Sequence, residues 1–335
     1  MDYKEFCEHI KEEIKGFMPE QYASYEPQLH TVSKPNVGER VGLTFVPPVS
    51  GTPTPVIYLE PYYDGYLDRG MSVGRLMTQI ADTAVEGIEK GRSASGGMFD
   101  LVPDMTNWEK IKDKVTVRVI GVSRNTELLK EVPCRLFGDI ALIYQVSVKA
   151  PDDTLMTVRI TNNLMKQYDI SEPQLYDTAM ENSQRLQKVT CRPMGEVIGD
   201  LLGTMDDPEV YEAPAKLYVL SNESLQFGAA ALFYPGVIEK IGKSIPEGFY
   251  ILPSSIHEVL ILPKNQGEKA MLENMVQEIN ETQVAPDEVL SDFVSEYDAQ
   301  TRTMEWGRDP NLTLPEQLKE KTPDRLPSTE KEMIL

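Results

Sequence analysis

Phe249-Tyr250-Ile251-Leu252-Pro253-Ser254-Ser255-Ile256-His257-Glu258-Val259-Leu260-Ile261-Leu262-Pro263 is a pair of strand-length apolar runs divided by a proline and two serines. Both runs are too short for a helix and rich in β-branched and aromatic residues. They predict strands over Phe249 to Leu252 and Ile256 to Leu262, with a turn at Pro253-Ser254-Ser255. Helical signals lie on either side, a helix opened by Pro235 and running to Ile241 and another from Glu268 to Ile279. This alternation of element types predicts an α+β fold, with mixed, largely antiparallel sheets packed against helices.

The same alternation extends outward. Leu217 to Leu220 and Gly228 to Phe233 read as strands, and Phe293 to Tyr297 with Thr301 to Trp306 as a closing hairpin about Asp298. Ser171 and Gln174 fit a capping box, and Ile170 and Leu175 a hydrophobic staple, for a helix reaching about Gln187. A further helix is predicted over Met194 to Met205. Earlier, Trp108 to Val115 and Asn125 to Glu131 read as helices and Val115 to Val122 as a strand. Ile140 to Val148 is expected to pair with Thr154 to Ile160 across Ala150-Pro151-Asp152-Asp153.

At the N-terminus, Tyr3, Phe6, Cys7, Ile10, Ile14 and Phe17 fall at helical spacing, and Pro19 closes the segment. Short β-rich runs follow at Gln28 to Val32, Val41 to Val46 and Pro55 to Glu60. Ser72 then caps a helix bearing Val73, Leu76, Ile80, Ala84 and Ile88, with Gly91 past its end. Gly91 to Gly97 is small and polar and lacks the lysine of a phosphate loop, so it reads as a linker. The expected organisation is an N-terminal α/β lobe over 1–100, a main α+β domain over 101–306 and a flexible tail over 307–335.

Composition narrows the function classes. The 335 residues are 41% hydrophobic and 26% charged, as in a folded protein. A net charge of -20 repels phosphate backbones, and no basic cluster with interleaved aromatics occurs, so nucleic acid is disfavoured as a partner. Cys7, Cys134 and Cys191 are widely spaced and odd in number, which predicts reduced thiols. Lys4, Glu5, Glu8, Lys11, Glu12 and Glu13 exclude the apolar stretch of a signal peptide, and no apolar run approaches the roughly 20 residues of a membrane span. A cytoplasmic protein is expected.

The common nucleotide, hydrolase and zinc motifs are absent, and only His9, His30 and His257 could supply imidazole, so no metal site is expected. His257 and Glu258, near Ser254 and Ser255, invite a nucleophile and base reading. In a regular strand, however, His257 and Glu258 point to opposite faces, and Ser255 stands roughly 7 Å from His257 along the chain. Asp139, at a strand entrance, is the place where metal-dependent nucleases put an acid. The weak catalytic candidates are thus Ser254, His257, Glu258 and Asp139. The aromatic and acidic run Tyr58 to Tyr66 is a further candidate, for an interface.

Phe249 to Val259, Tyr218-Val219-Leu220-Ser221-Asn222, Phe227-Gly228-Ala229-Ala230, Tyr234-Pro235-Gly236-Val237 and Ala285 to Asp292 together resemble the domain of unknown function 5688 family, uncharacterised proteins of gut clostridia and other Firmicutes. Asn125, Leu128, Leu129, Pro133, Phe137 and Asp139 stand in a similar arrangement. The resemblance spans residues 1 to about 305 and implies no assigned activity or cofactor. A weaker similarity to another uncharacterised Firmicutes family, different at the His257 position, lowers the case for a catalytic imidazole. The leading expectation is a non-enzymatic binding protein that meets a protein or small-molecule partner through the face near residues 249–263. The alternatives are a hydrolase or metal-dependent enzyme, with a site near His257 and Glu258, and a structural subunit of a larger assembly.

Overall fold

Asp2 starts the first helix, α1 (Tyr3–Glu13). Its side chain accepts from the Glu5 N–H at 2.8 Å while Glu5 Oε2 accepts from the Asp2 N–H at 3.0 Å, satisfying donors the helix leaves unpaired. The computed structural model describes residues 1–48, 54–93, 104–149, 155–202 and 216–321. α1 belongs to the first of two compact units, Met1–Met105, and the second takes up most of the chain from Thr106 onward.

In the first unit, β1 (Glu26–Lys34), β2 (Gly38–Val46) and β3 (Ile57–Tyr58) form an antiparallel sheet in chain order. Phe6, Ile10 and Ile14 from the N-terminal segment, Leu43 and Phe45 from β2, and Leu76, Ile80 and Ile88 from α3 (Val73–Ser93) close one core. The helical spacing and the strand alternation of these residues carry the expected α-β-β-β-α unit. One helix is added to it, α2 (Glu60–Asp68), made by the Tyr58 to Tyr66 run, with Tyr63 and Tyr66 rings 5.3 and 5.9 Å from Phe6. Gly91 lies inside the end of α3, and residues 94–97 of the expected linker lie outside the described residues.

The second unit begins with α4 (Trp108–Ile111) and a sheet of β4 (Val115–Gly121), β5 (Cys134–Phe137), β6 (Ile140–Lys149) and β7 (Leu155–Arg159), with α5 (Thr126–Glu131) between β4 and β5. β6 carries β4 along one edge and β5 and β7 along the other. After α6 (Asn162–Gln167), α7 (Glu172–Leu186) starts where Ser171 and Gln174 predict it, with Gln174 Oε1 accepting from the Ser171 N–H at 2.9 Å. α7 is fastened to β4: Ser183 Oγ accepts from the Val117 N–H at 2.9 Å, and Asn182 Nδ2 donates to the Lys112 and Val115 carbonyls.

A six-stranded antiparallel sheet completes the unit, built from β8 (Val189–Pro193), β9 (Tyr218–Asn222), β10 (Phe249–Pro253), β11 (Val259–Pro263), β12 (Ser295–Asp298) and β13 (Thr303–Glu305) in the order β13-β12-β10-β11-β9-β8. The helices α8 (Met194–Leu202), α9 (Val237–Ser244) and α10 (Lys269–Thr282) intervene. β10 and β11 pair from Phe249↔Pro263 to Pro253↔Val259, so each proline ends its strand and removes no donor from the middle of the ladder. Leu252 and Leu262 pack with Leu272 and Val276 of α10 and with Val294.

Three expectations are corrected. Ile256 to Glu258 is not strand but part of a five-residue loop, 254–258, between β10 and β11. Gly228–Phe233 is a buried 3₁₀ helix, because an apolar run enclosed on all sides has no period to distinguish strand from helix. The tail does not begin at Gly307. Leu318, in α11 (Glu316–Lys319), is fully buried against Leu128, Leu129 and Val132, and the Leu136 N–H donates to the Lys321 carbonyl at 2.9 Å. Prolines break the helical period over 307–321, yet three spaced leucines, Leu312, Leu314 and Leu318, suffice to dock it. Residues 322–335 lie outside the described residues. Strands β5 and β8 and helix α6 are absent from the sequence expectations.

Candidate functional site

The loop 254–258 closes on itself. Glu258 Oε1 accepts from Ser254 Oγ at 2.8 Å and from Ser255 Oγ at 3.1 Å, while Ser255 Oγ accepts from the His257 N–H at 3.0 Å. The Ser255 N–H donates to the Glu258 carbonyl, and the Ile256 N–H to the Glu288 carbonyl at 2.9 Å. Both serines and the carboxylate therefore fold the turn. Among the described residues neither serine hydroxyl bonds the His257 ring.

The imidazole has its own partners. His257 Nδ1 accepts from the Phe227 N–H at 3.2 Å, which puts the proton of the neutral ring on Nε2, and Nε2 sits 3.4 Å from Glu288 Oε1. The His257 carbonyl accepts from Ser221 Oγ at 2.8 Å. A glycine permits this approach: a Cβ at Gly228 would stand 2.2 Å from Ser221 Oγ and 2.6 Å from the His257 carbonyl oxygen. Ser254, His257 and Glu258 are thus neighbours, joined as a scaffold in which each has its own partners.

Phe227 connects this scaffold to the four-stranded sheet. Its backbone is left-handed at φ 53, a conformation costly for a bulky residue, and Leu225 shares it at φ 54. The Phe227 ring stacks with His257, centroids 5.5 Å apart at 20°, and the Arg118 guanidinium lies 4.1 Å from its centroid. Arg118 comes from the middle of β4, where it faces Ile143 of β6. Its Nε is buried and has no hydrogen-bond partner among the described residues. Burial, and after it the charge of Arg159, bring the guanidinium down to about 10. On the same side of the sheet, Thr116 Oγ1 and Ser147 Oγ share a 2.7 Å bond, and Gln145 Nε2 donates to Ser147 Oγ at 3.1 Å.

Asp139 is fully enclosed, with 1% of its surface exposed. Its carboxylate accepts from the Ser123 N–H at 2.8 Å, from Ser123 Oγ at 3.2 Å and from Ser291 Oγ at 2.8 Å. Burial raises its pKa, and those three donors oppose the rise. It ties the segment after β4 to the segment before β12. Among the described residues no group of three or more His, Cys, Asp or Glu could hold a metal ion.

A second arginine of the same sheet has the opposite environment. Arg135 of β5 donates from Nε to Glu172 Oε1 at 2.9 Å and from Nη2 to Glu172 Oε2 at 3.1 Å. Its guanidinium lies 3.5 Å from the Tyr176 centroid, and the Tyr144 hydroxyl also donates to Glu172. Arg135 and Glu172 line a cleft of about 560 Å³ with Cys134, Asn162 and Lys321. Arg118, Arg159, Phe227 and Glu288 escape sequence reasoning. The available signal for Arg118 is a lone cation inside Val115-Thr116-Val117-Arg118-Val119-Ile120, a run otherwise fit for burial on both faces.

No curated protein and no solved structure matches the chain. No helix among the described residues is long and apolar enough to cross a membrane. A family model matches residues 3–299. The chain therefore belongs to DUF5688, a family of unknown function.

Proposed function

We propose that the second unit is a non-enzymatic binding module whose recognition surface is the loop 254–258 with Phe227, His257 and Glu288 around it. One observation carries this reading: the Ser254, Ser255, His257 and Glu258 groups that chemistry would need are engaged in holding the loop. A base must reach its nucleophile, and His257 accepts from a backbone N–H at the nitrogen that would take the proton. The loop instead holds a half-buried aromatic pair, Phe227 on His257, a rigid platform of the kind that recognition surfaces use. The protein is read as cytoplasmic on its acidic composition and the reduced state expected of its cysteines.

The test has two arms. A fluorophosphonate probe and a panel of ester and phosphoester substrates, applied to the wild type and to Ser254→Ala and His257→Ala, are expected to give neither labelling nor turnover. Labelling of Ser254 that disappears in His257→Ala overturns the reading. Cross-linking mass spectrometry in native lysate is expected to give a specific contact at the loop that Phe227→Ala removes. Contacts that are absent, or indifferent to Phe227→Ala, count against it.

A further inference from the structure

The aromatic run Tyr58 to Tyr66, an interface candidate in the sequence, borders a cleft of about 490 Å³ in the first unit. The cleft is lined by Tyr62 of α2, by Arg75, Leu76 and Gln79 of α3, and by Arg69 and Met71 from the turn between the two helices. Gly70 permits that turn, with a left-handed backbone at φ 59, and the Met71 N–H reaches back to the Gly65 carbonyl at 3.2 Å. A Cβ at Gly65 would stand 3.3 Å from Met71 Sδ and 3.5 Å from Leu76 Cδ2, so these apolar side chains pack on bare backbone of α2. The Thr83 hydroxyl gives its proton to the Gln79 carbonyl at 2.9 Å. The Tyr62 hydroxyl is therefore the donor in its 3.1 Å bond to Thr83 Oγ1, and the bond ties the ring to α3.

The charged residues that line this cleft are both cations. Arg69 and Arg75 are exposed, so a solute can reach them from water. Neither makes a hydrogen bond or ion pair among the described residues, and no carboxylate lines the cleft. Other arginines of the chain do meet carboxylates, Arg124 with Asp292 at 3.0 Å, Arg135 with Glu172 at 2.9 Å and Arg192 with Asp200 at 2.6 Å. Arg75 also stands in the first turn of the 21-residue α3, where the helix dipole disfavours a cation and favours an anion, and that turn holds no acidic residue. In a chain with 53 acidic and 33 basic residues, the cleft is a local reversal of sign.

We propose that this cleft binds a small organic phosphate, with the phosphoryl group held by Arg69 and Arg75 and the apolar body against Tyr62, Met71 and Leu76. A guanidinium fork matches two oxygens of one phosphate, and two guanidinium groups match a dianion better than a single carboxylate. The volume falls within the roughly 300–1,000 Å³ of small-molecule sites. The site lies in the first unit and is independent of the reading of the loop 254–258, so either can fail alone.

The experiment is calorimetric titration of the full chain with phenyl phosphate, inorganic phosphate and benzoate at equal ionic strength. It is repeated for Arg69→Gln, Arg75→Gln and Lys4→Gln, the last removing an exposed cation of the same unit that does not line the cleft. Phenyl phosphate is expected to bind saturably and more tightly than the other two. Arg69→Gln and Arg75→Gln are each expected to weaken it by about tenfold or more, with melting temperatures unchanged because both side chains are exposed. Lys4→Gln is expected to leave the affinity within about twofold, since salt screens a charge outside the site. No saturable binding of phenyl phosphate, or a loss in Lys4→Gln as large as in the arginine variants, overturns the site. Benzoate binding as tightly as phenyl phosphate overturns the phosphoryl assignment, and inorganic phosphate doing so overturns the role of the apolar lining.

Discussion

The loop 254–258 and the Arg118 face of β4 stand on either side of one phenylalanine, and they differ in how much bonding capacity remains in them. In the loop, two serine hydroxyls, one carboxylate and one imidazole satisfy each other and the adjacent backbone. At Arg118 a buried charged donor lies on an aromatic ring without an acceptor among the described residues. Reactive residue types are therefore a poor guide to function on their own. Saturated groups hold a fold together, whereas unsaturated ones impose a stability cost.

The contrast can be broken at several points, and the largest effect is expected where a saturated arginine loses its carboxylate. Glu172→Ala leaves the Arg135 guanidinium and the buried Tyr144 hydroxyl without their shared acceptor. With the pair about a quarter exposed, at 22% and 26%, a loss of roughly 2–4 kcal/mol is expected in urea unfolding. A loss under about 0.5 kcal/mol would mean that water replaces the carboxylate there. Gly228→Ala follows, because a Cβ would collide with the Ser221 hydroxyl and with backbone atoms of His257 and Asn222. About 1–3 kcal/mol of overpacking is expected, read as a fall in melting temperature. Glu258→Ala frees two serine hydroxyls that water can still reach in part, so about 1–2 kcal/mol is expected, with hydrogen exchange accelerated at the Ser255 and His257 amides.

Much of this architecture is legible in the sequence, for identifiable reasons. Amphipathic segments such as Tyr3 to Phe17 and the Ser171 to Leu175 cap carry their signals within a few residues, and the structure has helices there. The Phe249 to Pro263 pair is visible because prolines bound both strands. The 3₁₀ helix at Gly228–Phe233 is hidden because its start packs against the backbone of His257, distant in sequence. Ser254, His257 and Glu258 attract attention because they are adjacent in the chain. Alternation along a regular strand would have separated His257 from Glu258, and the loop instead gives each its own partners. Arg118, Phe227 and Glu288 come from separate segments, and the left-handed turn at Phe227 sets its ring between Arg118 and the His257 that meets Glu288.

The smallest expected effect is the most informative, because its sign separates the two regions. Arg118→Met keeps an unbranched side chain able to lie on the Phe227 ring and removes the buried charge with its unpaired Nε. If that guanidinium serves folding as Arg135 does, its loss should destabilise the protein by as much as Glu172→Ala. If it is an uncompensated buried charge, its removal relieves the cost of its desolvation, and the variant should be as stable as the wild type or more stable by about 1 kcal/mol. A melting temperature of Arg118→Met well below the wild type would place Arg118 with the saturated groups, and the distinction between the two sides of Phe227 would collapse.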